Sequence, residues 1–244
     1  MPCYKHAGVI FKGLKLSASG RPILERLKSG KKGKLFVPDY GDKQRCQYIF
    51  SSFEEASAVL PPELIETVKE HTNNMARALG LESPITTPPA VILNAQPVNK
   101  NGEKAPPVAL LAAHMDLATF QRGFVTILAL VMYSLIVYLC SEAEVLAYEE
   151  LVQQVKKGEG SQKDLDIWCR SHRNQGVRIV LQPGDVLFMT GNTVHRGDKG
   201  IEDYSAPRLH LNTVEAHGKN KDKGKEQDTV IMDVWGRQFS SVFQ

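Results

Sequence analysis

The sequence predicts a mainly β protein with flanking helices: a helix-supported β-sandwich, whose commonest double-sheet form is the jelly roll. Two observations predict it. Helical periodicity is confined to 52–81 and to one later stretch, 142–170. Short apolar runs of strand length, bounded by turn residues, fill most of what remains, and no internal repeat is present. The 244 residues are 42% hydrophobic and 23% charged, an ordinary globular composition with enough chain for a sizeable core.

Along the chain, residues 1–50 mix short apolar runs with basic, glycine-bearing loops. Ser29-Gly30-Lys31-Lys32-Gly33-Lys34 reads as a solvated turn before the strand-like Leu35-Phe36-Val37, because it lacks the interleaved aromatics that stack bases. From Ser52 to Leu81 the reading is helical. Ser52 can cap, Pro61-Pro62 breaks the run, and Leu64, Ile65, Val68, Met75, Ala76 and Leu79 recur at helical spacing until Gly80. Ser83–Pro89 reads as a loop, Ala90–Ala95 as a strand and Asn99–Pro107 as a turn-rich connection, after which Val108–Ala113 leads into His114.

Phe124–Cys140 is 17 residues without a charge. As a helix it would rise only about 26 Å, against roughly 30 Å of bilayer hydrocarbon. Its β-branched residues favour two adjacent buried strands, near 124–131 and 134–140, although no Gly, Pro or Asn marks a turn between them. No membrane association is expected. Glu142–Lys157 and Lys163–Arg170 read as helices, followed by the strand-like segments Val177–Leu181, Asp185–Met189, Arg208–Val214 and Val230–Trp235, with Lys219–Asp228 an exposed loop.

The charge balance is +3, too small to argue for nucleic acid by itself. The four cysteines, Cys3, Cys46, Cys140 and Cys169, form no C-x-x-C pair, so neither a zinc knuckle nor a disulfide framework is signalled. MPCYKHAGVIFKG lacks the apolar core of a secretion signal, and a soluble, intracellular protein is expected. There is no G-x-S-x-G elbow to make a hydrolase of Ser205 or Thr193, and no G-x-G-x-x-G or P-loop for nucleotide phosphates. His71 and His172 read as surface residues.

Three pieces carry chemistry together: His114-Met115-Asp116, then His195, then Arg208. Two imidazoles and a carboxylate on one face of a metal form the set used by non-haem Fe(II) oxygenases, which leaves the opposite face open. H-x-D suits a strand end, where residues i and i+2 project to the same side. Alone it is weak, since seven His and eleven Asp give about 0.3 chance occurrences. The run from Gln182 to Gly197 strengthens it, reading as turn, apolar strand, tight Gly-Asn turn and a histidine delivered inward.

With those residues in view, 182–213 resembles the distal half of the Fe(II)/2-oxoglutarate-dependent dioxygenases, especially their phytanoyl-CoA-hydroxylase-like branch. There a P-G-D-x-x-x-F strand pair (here Pro183-Gly184-Asp185 to Phe188) precedes the second metal histidine, and an arginine follows ten to fourteen residues later. His114-Met115-Asp116 with the strand from Phe124 to Leu130 matches the proximal half. The resemblance covers about 108–213. It implies one catalytic domain over 1–244, in which a helix-containing support (1–85) precedes a cupin-like double-stranded β-helix core (86–244) with a helical insertion near 142–173. It also implies that His114, Asp116 and His195 ligate Fe(II) and that Arg208 pairs with the distal carboxylate of the cosubstrate 2-oxoglutarate. A bidentate guanidinium fork suits that last task on physical grounds. His210 stands where related enzymes often carry a hydroxyl, which leaves it as a second carboxylate contact or a wall of the pocket. A second departure is the absence of a glycine-rich turn before the helix at Glu142.

The expected activity is hydroxylation of a small organic substrate with release of succinate and CO2. Two alternatives stand beside it. The basic stretches 28–34 and 219–225 keep a modified base in nucleic acid as a substrate, and a non-catalytic, cupin-like metal- or ligand-binding module would keep the fold without the reaction.

Overall fold

The structure, a computed structural model of the 244-residue chain, describes residues 9–11, 37–39, 42–94, 113–198, 206–216, 231–232 and 238–239. The basic stretches 28–34 and 219–225, the connection Asn99–Pro107, most of Val108–Ala113, Cys3 and Ser205 lie outside the described residues.

Two sheets face each other. Across the larger run β1 (Val9–Phe11), β9 (Val186–Thr190), β6 (Gly123–Ala129), β11 (Arg208–Glu215), β5 (Ala90–Asn94), β3 (Asp42–Ile49) and β2 (Val37–Asp39), while β4 (Pro84–Thr86) also pairs with β11. The smaller sheet orders β10 (His195–Gly197), β7 (Tyr133–Tyr138) and β8 (Gly176–Leu181), and β12 (Ile231–Met232) pairs with β13 (Gln238–Phe239). Every pairing between these strands is antiparallel. The core is the expected double-stranded β-helix, or jelly roll.

The apolar run 124–140 is strand, as its β-branching indicates, but its two halves are not partners. β6 lies between β11 and β9 in the large sheet, and β7 lies between β10 and β8 in the small one. Leu130-Val131-Met132 carry the chain from one layer to the other. A crossing between sheets needs no reversal within a sheet, and so no Gly, Pro or Asn. Among the described residues, no helix is long and apolar enough to cross a membrane.

Alternation sorts β6 and β11 into two faces. Phe124, Leu128, Leu209 and Leu211 point outward with Phe188 against Leu64, Ile65, Val68 and Ala76. These come from α2 (Pro62–Ala78), which follows α1 (Phe53–Val59) across the Pro61-Pro62 break. Thr72 on α2 lies 3.4 Å, hydroxyl to hydroxyl, from Thr126 on β6, so a polar pair is satisfied inside an otherwise apolar contact. Leu79, at helical spacing in the sequence, is instead exposed beside Gly80, whose φ of +64° ends the helix. The opposite face packs Val125, Ile127 and Ala129 against Leu135, Val137 and Leu181 of the small sheet.

The expected loop Ser83–Pro89 contains β4. Residues 84–86 and 90–92 lie along the same edge of β11, with the register shifting by one residue between them. Pro88-Pro89 fall in that shift, where missing ladder donors are tolerated. Thr87 bridges it: its N–H donates to the Asn212 carbonyl (2.8 Å) and its hydroxyl accepts from the Asn212 N–H (3.0 Å).

α3 (Glu142–Lys157) and α4 (Gln162–Ser171) form the helical insertion. Val145, Tyr148, Val152, Leu165 and Trp168 pack on Tyr138, Val194, Ala113 and Met115. His172 is structural: its ring stacks on Trp168 at 3.9 Å and its Nδ1 reaches the Trp168 carbonyl at 2.8 Å. Ser141 and Glu144 make a capping box at the start of α3, and Gln175 donates to the Glu144 carboxylate at 2.8 Å. That Gln175 bond and the Ser141 backbone and hydroxyl donors lower the Glu144 pKa to about 2. A depressed acid contributes stability that is complete above its unfolded value, near 4.5, and is lost as pH falls toward the folded one. Thermal melts of Glu144→Gln against wild type are therefore expected to differ at pH 7 and to converge between pH 4.5 and about 2. A gap that persists unchanged at the acid end would contradict this.

Candidate metal centre

His114 and His195 stand opposite each other across an isolated antiparallel bridge. The His114 N–H donates to the His195 carbonyl at 2.8 Å, and the His195 N–H returns to the His114 carbonyl at 2.9 Å. His114 is thus placed by this bridge and not by the end of a regular strand. Asp116 lies in the bend that follows. The i, i+2 logic still holds, because Met115 between them is buried on the other side, in the cluster of the insertion.

The bend is clamped to the turn that delivers His195. The Leu117 N–H donates to the Gly191 carbonyl at 2.9 Å, and the Gly191 N–H to the Gly123 carbonyl at 3.1 Å. A Cβ on Gly191 would fall 2.2 Å from Leu117 Cδ1. Gly191→Ala must therefore displace Leu117, with an expected cost of about 1–3 kcal/mol. The same displacement should weaken metal binding through Asp116, the next residue. Denaturant melts and metal titration of this variant check both parts. Normal stability with normal binding would show that the clamp does not set the site.

Asp116 sits among three imidazoles. Its Oδ1 is 3.6 Å from His114 Nε2, and its Oδ2 is 3.4 Å from His195 Nε2 and 3.3 Å from His210 Nε2. Burial by itself would raise the carboxyl pKa, but His195, His210 and His114 outweigh it and hold the group well below the usual carboxylate range. His195 Nδ1 lies 3.0 Å from the Thr193 carbonyl. That acceptor keeps a ring proton on Nδ1 and makes Nε2, which faces Asp116, the atom that would ligate a cation through its lone pair. Candidate ligand atoms of His114, Asp116 and His195 all lie within 4.8 Å of one another, and the three residues are buried. Two imidazole nitrogens, deprotonated on ligation, and one carboxylate oxygen fit a divalent first-row cation such as Fe(II).

β11 supplies the other two candidates. Leu209 and Leu211 face the helices, so Arg208, His210 and Asn212 share the interior face. Arg208 is 3% exposed, its Nη1 donates to the Ala206 carbonyl at 3.2 Å, and its guanidinium lies 4.6 Å over the Tyr133 ring. Ala206 has a φ of +36°, the only positive φ of a non-glycine among the described residues. Such strain persists where the surroundings over-determine it, here beside the arginine it holds. Arg208 stands one pleat from His210, about 7 Å along the strand. The structure thus gathers His114, Asp116, His195 and His210 at one place and sets Arg208 next along the same face.

Two features escaped the sequence. One is the contact of His210 with Asp116, across 94 positions. The other is Asn212, whose buried Oδ1 has no hydrogen-bond partner among the described residues. Alternation from Arg208 could have put Asn212 on this face, but nothing in the sequence marks its oxygen as orphaned.

No family model matches the sequence, and no curated protein matches it. Solved structures do. HygX from Streptomyces hygroscopicus, with nickel and 2-oxoglutarate bound, is similar over 86% of this chain and 84% of its own (TM-score 0.53, 11% identity). SnoN, a non-haem α-ketoglutarate-dependent epimerase from nogalamycin biosynthesis, is similar over 87% and 77% (TM-score 0.53, 14% identity). EctD from S. alaskensis with bound Fe is similar over 86% and 73% (TM-score 0.50, 11% identity). The chain has the fold of these proteins.

Proposed function

We propose that the chain is one catalytic domain, a non-haem Fe(II)- and 2-oxoglutarate-dependent dioxygenase that hydroxylates a small organic substrate. The observation that carries this reading is the convergence of His114, Asp116 and His195, two imidazoles and a carboxylate, onto a point inside the jelly roll. Hygromycin B, bound in another HygX structure of this fold, is in keeping with a small-molecule substrate.

When bound, iron and 2-oxoglutarate supply the redox chemistry, with succinate and CO2 as by-products. The chain supplies order. His114 and His195 offer Nε2 lone pairs, the latter fixed in its tautomer by the Thr193 carbonyl. Asp116 brings one negative charge and stays ionised. Arg208, held over Tyr133 and tied to Ala206, would pair its guanidinium with a carboxylate lying along β11. Val125, Ile127, Leu135, Val137, Leu187 and Met189 line the sandwich interior and keep water away from these charges.

The test is anaerobic titration with Fe(II), then with 2-oxoglutarate, followed by admission of oxygen and assay for succinate. Stoichiometric binding of both and succinate formation are expected. Binding without succinate, across a panel of small substrates, would favour the binding-module alternative; no binding at all would refute the reading.

A further inference from the structure

The geometry points to His210 as a positioning residue for Asp116: its imidazole N–H holds the ligand carboxylate in place, and it neither ligates the cation nor contacts 2-oxoglutarate. The inference rests on the metal-site reading above.

Three imidazoles crowd one carboxylate, and their roles separate on hydrogen-bond grounds. As a metal ligand Asp116 offers carboxylate oxygens, which only accept, so any hydrogen bond to it must come from a ring N–H. His195 directs its Nδ1–H at the Thr193 carbonyl, and as a ligand it would turn the Nε2 lone pair to the cation, with no N–H there to give. His114 is a candidate ligand of the same group, and its Nε2 stands 3.6 Å from Asp116 Oδ1, farther than His210. His210 remains. Its Nε2 lies 3.3 Å from Asp116 Oδ2, and the residue stands outside the three-membered ligand group.

The two carboxylate oxygens therefore have different surroundings. Oδ1 faces His114, whereas Oδ2 is the one His210 can reach. A donor on Oδ2 limits swinging of the carboxylate and favours binding through one oxygen. The alternative, a bidentate carboxylate, would fill a coordination position that the proposed reaction needs open.

β11 is a fitting support for this task. His210 is registered with Ile127 of β6 on one side and Ala90 of β5 on the other, deep in the large sheet. Asp116, by contrast, lies in a bend. A rigid strand thus steadies a ligand carried by a less regular segment. The contact also ties the bend to a third part of the chain, beyond the backbone bridge from His114 to His195.

The experiment measures Kd for Fe(II) and for Co(II) as probe, anaerobically, on wild type, His210→Leu and His210→Gln, with melting temperatures of the metal-free proteins and the visible spectra of the Co(II) forms. Leucine fills the space without a donor, and glutamine restores an N–H at the distance of Nε2. His210→Leu is expected to bind about 10–100-fold more weakly. His210→Gln should recover most of that loss, with a Co(II) spectrum like that of wild type. Equal Kd values for wild type and His210→Leu overturn the inference while leaving the metal site intact. Equal loss in both variants with a changed Co(II) spectrum also overturns it, by making His210 a ligand. A wild-type chain that binds neither ion refutes the metal site itself, and the inference with it. Matching metal-free melting temperatures exclude misfolding, and His210→Phe, which also lacks a donor, replaces His210→Leu if the latter fails this check.

Discussion

Asp116→Ala is expected to abolish turnover of 2-oxoglutarate and to weaken Fe(II) binding by well over about 100-fold. Groups that merely orient a metal ligand already account for about 10–100-fold, and Asp116 is itself the only anion in the donor set. The fold should survive. Asp116 lies in a bend, and the strands around it pair through their own backbones. Circular dichroism and melting of the metal-free variant should resemble wild type while the metal titration is flat. If the purified variant consumed 2-oxoglutarate at the wild-type rate, the ligand assignment would be wrong.

Arg208→Ala should leave the metal in place and raise KM for 2-oxoglutarate. Leaving one charge of a buried pair without its partner costs about 3–5 kcal/mol, a factor on the order of 100 or more in affinity. A contact to the distal carboxylate would exist in the ground state as well as the transition state, so the loss should fall mainly on KM and less on kcat. Arg208→Lys keeps the charge without the planar fork and should be intermediate. Steady-state kinetics with 2-oxoglutarate as the varied component decides the matter. An unchanged KM in Arg208→Ala would confine the arginine to its contacts with Tyr133 and Ala206.

The parts of this protein legible in its sequence are those written in local pattern. α1 and α2 could be read from the Ser52 cap, the Pro61-Pro62 break and helical spacing, and β6, β7 and β11 from apolar runs. The candidate site was legible because its residue types are chemically unusual together and the flanking turn and strand support them. β3 was not legible: DKQRCQYI has little apolar alternation, and its place comes from pairing with β5 and β2. β4 was hidden by Pro84 and by the Pro88-Pro89 pair that follows it, and the passage from β6 to β7 carries no turn residues because the chain changes sheets there. His210 was visible as a candidate, but its partner could not be found from the sequence. That contact is set by the register of β11 against the bend at Asp116, and such long-range placement leaves no periodic trace.

The bridge from His114 to His195 joins residues separated by most of the core, and so does the contact from Asp116 to His210. That separation bears on when, during folding, a cation can act. Contacts of such long range form late, because the loops between them must close before the contacts are made. An unfolded chain offers no assembled ligand set, so a cation would find its place only once the two sheets have met. It would then slow escape from the native state and leave the rate of reaching it nearly unchanged. In stopped-flow measurements, chelation should steepen the loss of native protein in denaturant while the refolding limb stays where it was.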